Sequence, residues 1–305
     1  MTAAIIQARM TSTRLPGKVL ADICGKPCLQ RVIERLRASK YLDDVIVACT
    51  TNEADNAIVA LCERLNCHYY RGSEDDVLSR VLEAARAFGV DVIVEVTGDC
   101  PLIYAGYIDK MLEPHLRCNF DGITTNVIER TFPRGFDIRI FDTKTLERVN
   151  SEVDNPIDRQ HVATWMYLNP KGKQNYLYHS VLATPNEHRP DIEITLDTTE
   201  DLELIRFIYG FEGQGYNLEL TPEQIIGIIN DYPMMYSKVK EIHRKDYFSE
   251  LQEWYAKQDA PDISIPAVLS QEPKKEVAKT IRKPIKNKKT GAKNGGAKRG
   301  RKPKI

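Results

Sequence analysis

The chain lacks the cysteine spacing of a zinc module. No C-x-x-C occurs among its seven cysteines, Cys24, Cys28, Cys49, Cys62, Cys67, Cys100 and Cys118. Their number is odd, and several sit inside apolar runs, where a free thiol behaves as a small hydrophobe. A disulfide scaffold is therefore excluded and a reducing, cytoplasmic setting is expected. No apolar run approaches the ~20 residues a membrane helix needs, and the chain opens without a signal-peptide pattern. Neither G-x-x-x-x-G-K-[ST] nor G-x-G-x-x-G is present, which excludes the Walker A loop and the dinucleotide fingerprint. No Asp-x-Asp occurs, and no internal repeat is found.

What is present divides by charge. The 305 residues are formally neutral. From Lys274 to Ile305, however, 14 Lys/Arg face a single acid, Glu276, a net of +13. The remaining 273 residues carry 29 basic and 42 acidic side chains, a net of −13. An acidic body thus carries a basic tail. Beyond Ala260 apolar content collapses, and Lys, Gly and Pro dominate. Such a segment cannot bury enough surface to offset chain entropy, so 265–305 is expected to be disordered.

The body alternates strand and helix signals. Ala3 to Ile6, "VIVACT" (45–50), "CHYYRG" (67–72) and "VIVEV" (92–96) read as buried strands. Pro27 can open a helix, and Leu29, Val32, Ile33 and Leu36 then fall on one helical face. Ile58, Leu61, Cys62 and Leu65 repeat that spacing. Ser73 with Asp76 makes a capping box ahead of Val77, Leu78, Val81 and Leu82. This order implies right-handed βαβ crossovers and a mostly parallel, Rossmann-like sheet flanked by helices. After about residue 120 the rhythm loosens. "FDIRIF" (136–141) and "IEITL" (192–196) read as strands; "DTKTLERV", "TEDLELIRFIYG" and "TPEQIIGIINDY" read as helices. The expected organisation is a domain over 1–245, a terminal helix and linker over 246–264, and the tail.

In parallel sheets ligands bind beyond the carboxyl ends of the strands. The loop after the first strand, "QARMTSTRLPGK", places Arg9, Arg14 and Lys18 there, with Thr11, Ser12 and Thr13 as further donors. Three cations and a row of hydroxyls suit an anion, phosphate above all.

The stretch "QARMTSTRLPGKVLADICGKP" resembles the nucleotide-binding signature of the CMP-sugar synthetases, the cytidylyltransferases that activate acidic sugars. The branch named after spore-coat polysaccharide biosynthesis is the nearer likeness. "YRGSEDDVLSR" (70–80), "TGDCPLI" (97–103) and "LDTTEDLELI" (196–205) match that branch in kind and order, over roughly residues 3 to 230. The resemblance implies a fold of the nucleotide-diphospho-sugar transferase type. It also implies transfer of CMP from CTP to an acidic sugar with release of pyrophosphate, for surface polysaccharide of the cell envelope. On this likeness Arg9, Arg14 and Lys18 hold the triphosphate, with Arg9, Lys18 and Asp99 as the catalytic set, and Asp99 and Asp197 bind Mg²⁺. Arg71 and Ser73 border the cytosine or ribose. "RTFPRGFDIRIF" forms the sugar side, where Arg134 and Asp137 meet the acceptor's carboxylate and hydroxyls; "DRQHV" offers Arg159 and His161 on a helix. A homodimer fits the likeness, and "TPEQIIGIINDYPMMY" could supply an apolar surface.

Other readings stay open at this point. A sugar-1-phosphate nucleotidylyltransferase would use UTP or dTTP, but such families carry a glycine-rich first loop. A metal-dependent glycosyltransferase usually needs Asp-x-Asp. A nucleic-acid-binding protein driven by the tail would contact polyanions with steep salt dependence, although a lysine-rich tail is equally a solubilising segment.

Overall fold

The computed structural model of the chain describes residues 1–118, 121–168, 176–214, 219–242 and 247–257. The basic tail read as disordered, 265–305, lies outside the described residues, as does the linker beyond 257. The elements follow in chain order: β1 (Thr2–Gln7), β2 (Asp22–Ile23), β3 (Lys26–Pro27), α1 (Cys28–Leu36), β4 (Asp44–Thr50), α2 (Asn56–Arg64), β5 (His68–Gly72), α3 (Val77–Phe88), β6 (Val92–Thr97), α4 (Ala105–Cys118), β7 (Gly122–Thr125), β8 (Arg139–Asp142), α5 (Thr143–Glu152), α6 (Pro156–Gln160), α7 (Thr164–Leu168), β9 (Leu177–Ser180), α8 (Thr199–Tyr209), α9 (Pro222–Asp231), α10 (Pro233–Lys240) and α11 (Tyr247–Ala256).

Among the described residues one seven-stranded sheet runs in the order β5-β4-β1-β6-β8-β7-β9, with β2 and β3 as a separate hairpin. β1 pairs in parallel with both β4 and β6, β4 with β5, and β7 with β9. β8 alone is antiparallel to its neighbours β6 and β7. The chain winds outward from β1 to β5, then returns to the other side of β1 with β6. The crevice between β1 and β6 is therefore the place where such a sheet binds a ligand.

The sheet is buried on both faces. Ala4, Ile6, Val45, Val47 and Val94 pack on one side with α1, α4, α8 and α9; Ala3, Ile5, Ile46 and Ile93 pack on the other with α3 and α5. Leu29, Val32, Ile33 and Leu36 of α1 are fully buried, as their spacing predicts, and each contributes about 1.5–3 kcal/mol relative to exposure. Among the described residues no helix is long and apolar enough to cross a membrane.

Several local readings need correction. "IEITL" is not a strand: it makes one isolated bridge, Glu193 to Arg134, through Arg134 N–H to Ile192 O at 2.9 Å and Ile194 N–H to Arg134 O at 2.9 Å. Its inward Ile192, Ile194 and Leu196 are buried, which gives the alternation of a strand without a partner strand. In "FDIRIF" β8 begins only at Arg139, because the Asn126 side chain takes the place of a ladder, bonding Phe136 O at 2.7 Å and Ile138 N–H at 2.9 Å. Asp76, not Ser73, caps α3, accepting from Ser79 N–H at 2.9 Å; Ser73 Oγ accepts from Asp76 N–H at 3.0 Å and makes the turn before it. In α9, by contrast, Thr221 caps with Gln224 in a full capping box. Its Ile225, Ile226, Ile228 and Ile229 are buried, while Tyr232 and Met234 beyond it are exposed.

Gly135 decides how 134 and 192–196 meet. Its φ is +109°, and a Cβ there would lie 2.7 Å from Ile194 Cγ1 and 3.0 Å from the Ile194 carbonyl carbon. Gly135→Ala should cost about 1–3 kcal/mol. Thermal melts of the full-length protein check this; an unchanged midpoint would mean that the two segments part without penalty.

Candidate active site

Three loop segments reach the crevice end of the sheet. The first leaves β1 at Ala8. It is held from below by Asp55, fully buried, whose carboxylate accepts from Met10 N–H at 2.8 Å and from Thr50 N–H at 2.7 Å. Gly17 N–H closes the loop on Met10 O at 2.9 Å, and a short 3₁₀ turn, Lys18–Leu20, starts there. The second follows β6. Gly98 N–H donates to Gln7 O at 2.8 Å, and a Cβ on Gly98 would sit 3.0 Å from that same oxygen, so glycine lets the two strand ends touch. The third is the chain after "IEITL". Leu196 N–H donates to Asp99 O at 2.8 Å, which fixes Asp197 beside Asp99. Asp201 accepts from the N–H groups of Asp197 and Thr198, both at 2.9 Å, and Thr198 caps α8 in a capping box.

The outcome is a compact ionic group. Lys18 Nζ lies 2.5 Å from Asp99 Oδ2 and 2.7 Å from Asp197 Oδ1, and Arg14 Nη2 lies 2.8 Å from Asp197 Oδ2. The Lys18, Asp99 and Asp197 side chains are only 13 %, 20 % and 14 % exposed. Burial opposes the charge on Lys18, but the two carboxylates outweigh it and hold its pKa above the ordinary value. Burial likewise opposes ionisation of Asp99, and the Lys18 ammonium overrides it, keeping the carboxyl below its usual range. Cys28 and Cys100 adjoin this group, and burial pushes both thiols up, so neither is a thiolate at neutral pH.

The other residues singled out in the sequence lie apart from that group or are otherwise engaged. Arg9 lies 3.5 Å from Glu74, whose carboxylate also accepts from Thr11 Oγ1 and Asn52 Nδ2. Those hydrogen bonds, with Arg9 nearby, hold Glu74 below the ordinary carboxylate range. Ser12 stands half-buried in the same loop, and Ser73 is exposed. Arg71 donates to Thr50 O, Asn52 O and Asn56 Oδ1 at 2.8–2.9 Å, bracing the loop after β4. In the segment that the resemblance gives to the sugar, Asp137 is clamped by Arg130 at 2.6 and 3.1 Å, and Arg134, 55 % exposed, stands 4.0 Å from Glu193. Arg159 donates to Asp76, the cap of α3, at 2.6 and 2.9 Å, and also to Asn150 and Val153 O. His161 follows α6 rather than lying within it, with Nε2 3.5 Å from Glu250; burial lowers its pKa.

Sequence reasoning missed Asp55, in a short 3₁₀ turn (Glu53–Asp55), and Glu74, in a loop; neither segment has a periodic signal. It also missed Glu95, which had one: a lone acid at an inward position of an apolar strand, now buried beside Gln7 and Arg139.

Chemically the group is a pair of carboxylates converging on one cation, with basic and hydroxyl side chains around them. Among the described residues no cluster of three or more His, Cys, Asp or Glu gathers. Two carboxylates would leave most positions around a hard cation to phosphate and water, the arrangement Mg²⁺ prefers. Asp99 and Asp197, which here share the Lys18 ammonium, are the residues that could hold such a cation.

Known proteins resemble the chain over most of its length. The sequence profile of the cytidylyltransferase family matches residues 3–225. An uncharacterized protein of Methanocaldococcus jannaschii is 36 % identical over 247 residues, 80 % of this chain and 96 % of its own. The spore coat polysaccharide biosynthesis protein SpsF of Bacillus subtilis is 29 % identical over 238 residues, 75 % of this chain and 94 % of its own. Among solved structures, a cytidylyltransferase from Leptospira borgpetersenii superposes with a TM-score of 0.71 at 28 % identity, covering 80 % of this chain and 99 % of that one. CMP:2-keto-3-deoxy-manno-octonic acid synthetase shares the fold, with a TM-score of 0.52 at 20 % identity over 69 % of this chain and 99 % of that one. The chain belongs to the cytidylyltransferase family and is, as such, a nucleotidyltransferase.

Proposed function

We propose that the chain transfers CMP from CTP to an acidic sugar, giving an activated sugar for surface polysaccharide. The observation that carries this reading is the convergence of Arg14, Lys18, Asp99 and Asp197 beside the β1–β6 crevice. A hydroxyl oxygen of the acceptor attacks the α-phosphorus of CTP and gives up its proton to solvent. The bond from that phosphorus to the oxygen bridging to the β-phosphate breaks, and pyrophosphate leaves with the electron pair. Such transfer is catalysed mostly by positioning and by neutralising charge on phosphate oxygens.

Arg9, Thr11, Ser12, Arg14 and Lys18 serve as the triphosphate cradle. Asp99 and Asp197 would hold Mg²⁺, which when bound supplies a Lewis acid and a template for the phosphate oxygens. Each cation of the cradle rests on a carboxylate: Arg9 on Glu74, Arg14 on Asp197, Lys18 on Asp99 and Asp197. Nucleotide and metal binding are therefore an exchange of partners. Phosphate would take over the cations and release Asp99 and Asp197, the residues that would hold Mg²⁺, so each would favour the other. Arg71 acts by positioning, since its donors already brace the loop after β4. We assign the reaction to the cytoplasm, where the seven cysteines persist as free thiols.

A thermal-shift panel of CTP, UTP, dTTP, ATP and GTP, each with and without Mg²⁺, tests the reading without knowledge of the sugar. A ligand at about 100 times its Kd stabilises by about 2.7 kcal/mol. Stabilisation by CTP with Mg²⁺ above the others is the expected result. Preference for UTP or dTTP would favour a sugar-1-phosphate nucleotidylyltransferase, and no response to any nucleotide would overturn the proposal.

A further inference from the structure

A second polar feature crosses the sheet on β6, four residues before Asp99. Glu95 of β6 stands in register with Arg139 of β8, and Gln7 ends the neighbouring β1. β8 runs antiparallel to β6, so its first residue, Arg139, lies at the carboxyl end of β6, on the side of the sheet that carries Asp99. Gln7 Nε2 donates to Glu95 Oε1 at 2.6 Å. The other oxygen, Oε2, is buried with no hydrogen-bond partner among the described residues, and so is Arg139 Nε. The guanidinium and the carboxylate stop 4.0 Å apart, too far for a hydrogen bond. Glu95 is 2 % exposed, whereas the Arg139 side chain keeps 17 % of its surface open.

A buried acceptor and a buried donor left unmet so close together are costly. Among the described residues no protein group bonds Glu95 Oε2 or Arg139 Nε, although the Tyr167 side chain is a partner of the guanidinium elsewhere. A molecule that offers an acceptor to Arg139 and a hydroxyl donor to Glu95 would satisfy both at once. A carboxylate next to a hydroxyl has this pattern, and a guanidinium fork pairs with a carboxylate in two parallel bonds.

We propose that Arg139, with Glu95, Gln7 and Tyr167, is the seat for the carboxylate end of the acceptor; this rests on the reading of the chain as an acidic-sugar cytidylyltransferase. The neighbouring arginines are less suited. Arg130 is clamped on Asp137 and Arg159 on Asp76, and Arg134 lies exposed at the rim. Burial opposes the charge on Arg139, and Tyr167 and Glu95 more than restore it, so the guanidinium stays charged for an anion. Glu95 sets specificity by requiring a donor hydroxyl beside the carboxylate.

The test measures pyrophosphate release from CTP and Mg²⁺ by the full-length protein. The probes are 3-deoxy-manno-octulosonate and N-acetylneuraminate, each against its carboxyl-reduced alcohol, with a CTP–Mg²⁺ thermal shift in parallel. Wild type should favour an acid over its alcohol. Arg139→Lys keeps the charge and the fold but lacks the fork; it should raise the KM for that acid by about 10- to 100-fold, with the KM for CTP unchanged. Arg139→Met should erase the preference for acid over alcohol. A purely structural role would lower kcat through loss of folded enzyme and leave the acceptor KM alone. An unchanged acceptor KM in Arg139→Lys, or equal use of acid and alcohol by wild type, overturns the proposal. Failure of both acids while CTP–Mg²⁺ still stabilises the protein sinks the carboxylate seat and spares the nucleotide reading. Absence of the CTP shift removes both.

Discussion

Asp99→Asn should abolish nucleotidyl transfer, lowering kcat/KM by a factor on the order of 10³, in a protein that still folds. Asparagine keeps the shape of the side chain and loses its charge. The contact that joins the two aspartate segments is made by the Asp99 main-chain carbonyl to Leu196 N–H, so the substitution leaves it in place. What goes is one of the two carboxylates that share the Lys18 ammonium. The folded-state pKa of Asp99 lies below its ordinary value. Its ion pair is therefore fully formed above the unfolded-state pKa and is lost as pH falls through the folded-state pKa. Near neutrality the wild type has the charge and the variant never does. Pyrophosphate release measured beside a thermal melt separates chemistry from folding. Turnover within tenfold of wild type in a well-folded variant would remove Asp99 from the mechanism.

Arg35→Met should produce the largest loss of stability among single surface-to-core charge removals. Arg35 lies on α1, 5 % exposed, and reaches three distant segments. Its Nε donates to the Tyr209 hydroxyl at 3.1 Å, and its Nη1 to Ile103 O at 3.4 Å and Leu220 O at 3.3 Å. Glu212 and Glu219 stand 3.6 and 3.5 Å away. Tyr209 passes the link on to Pro101 O at 2.6 Å. Removing the guanidinium leaves carbonyls and carboxylates without their buried cation, a loss of about 3–5 kcal/mol, or roughly 10 °C in Tm for a chain of this size. Arg86→Ala is the control: its partners Glu83 and Glu147 are surface groups, and the melt should not move. Equal midpoints for the two variants would show that Arg35 is not a hub.

The first half of the fold was legible because its signals are local. Each of β1, β4 and β6 is an apolar run buried on both faces, α1 and α2 show one apolar stripe, and β5, a half-buried edge strand, follows from the alternation alone. The two carboxylates were legible for a related reason: each follows an apolar stretch that had to be buried, so each had to emerge at an edge. The second half was not. β7 and β9 have four residues each, and "GITT" and "LYHS" carry no period that could distinguish them from loop. "IEITL" alternates as a strand does, but pairing is a property of two segments, and Gly135 turns its neighbour away after one bridge. Arg71 and Arg159 looked like ligand contacts because a cation in a loop or short helix gives no sign of what faces it; both face protein groups. Arg35 was invisible, since nothing in the helical stripe marks a polar residue on its flank as buried.

The hydrogen bond from Leu196 to Asp99 also imposes an order on assembly during translation. The β1 loop, Lys18 and Asp99 leave the ribosome well before Asp197, and the strands around them can pair early because their crossovers are short. Through that interval Lys18 has one carboxylate instead of two. The second can arrive only after the Ile192–Leu196 segment has been made and has docked on Asp99. On the proposed function, a nucleotide that requires both aspartates would bind finished molecules and ignore nascent ones. By mass action it would then drain the population of half-closed chains toward the closed form.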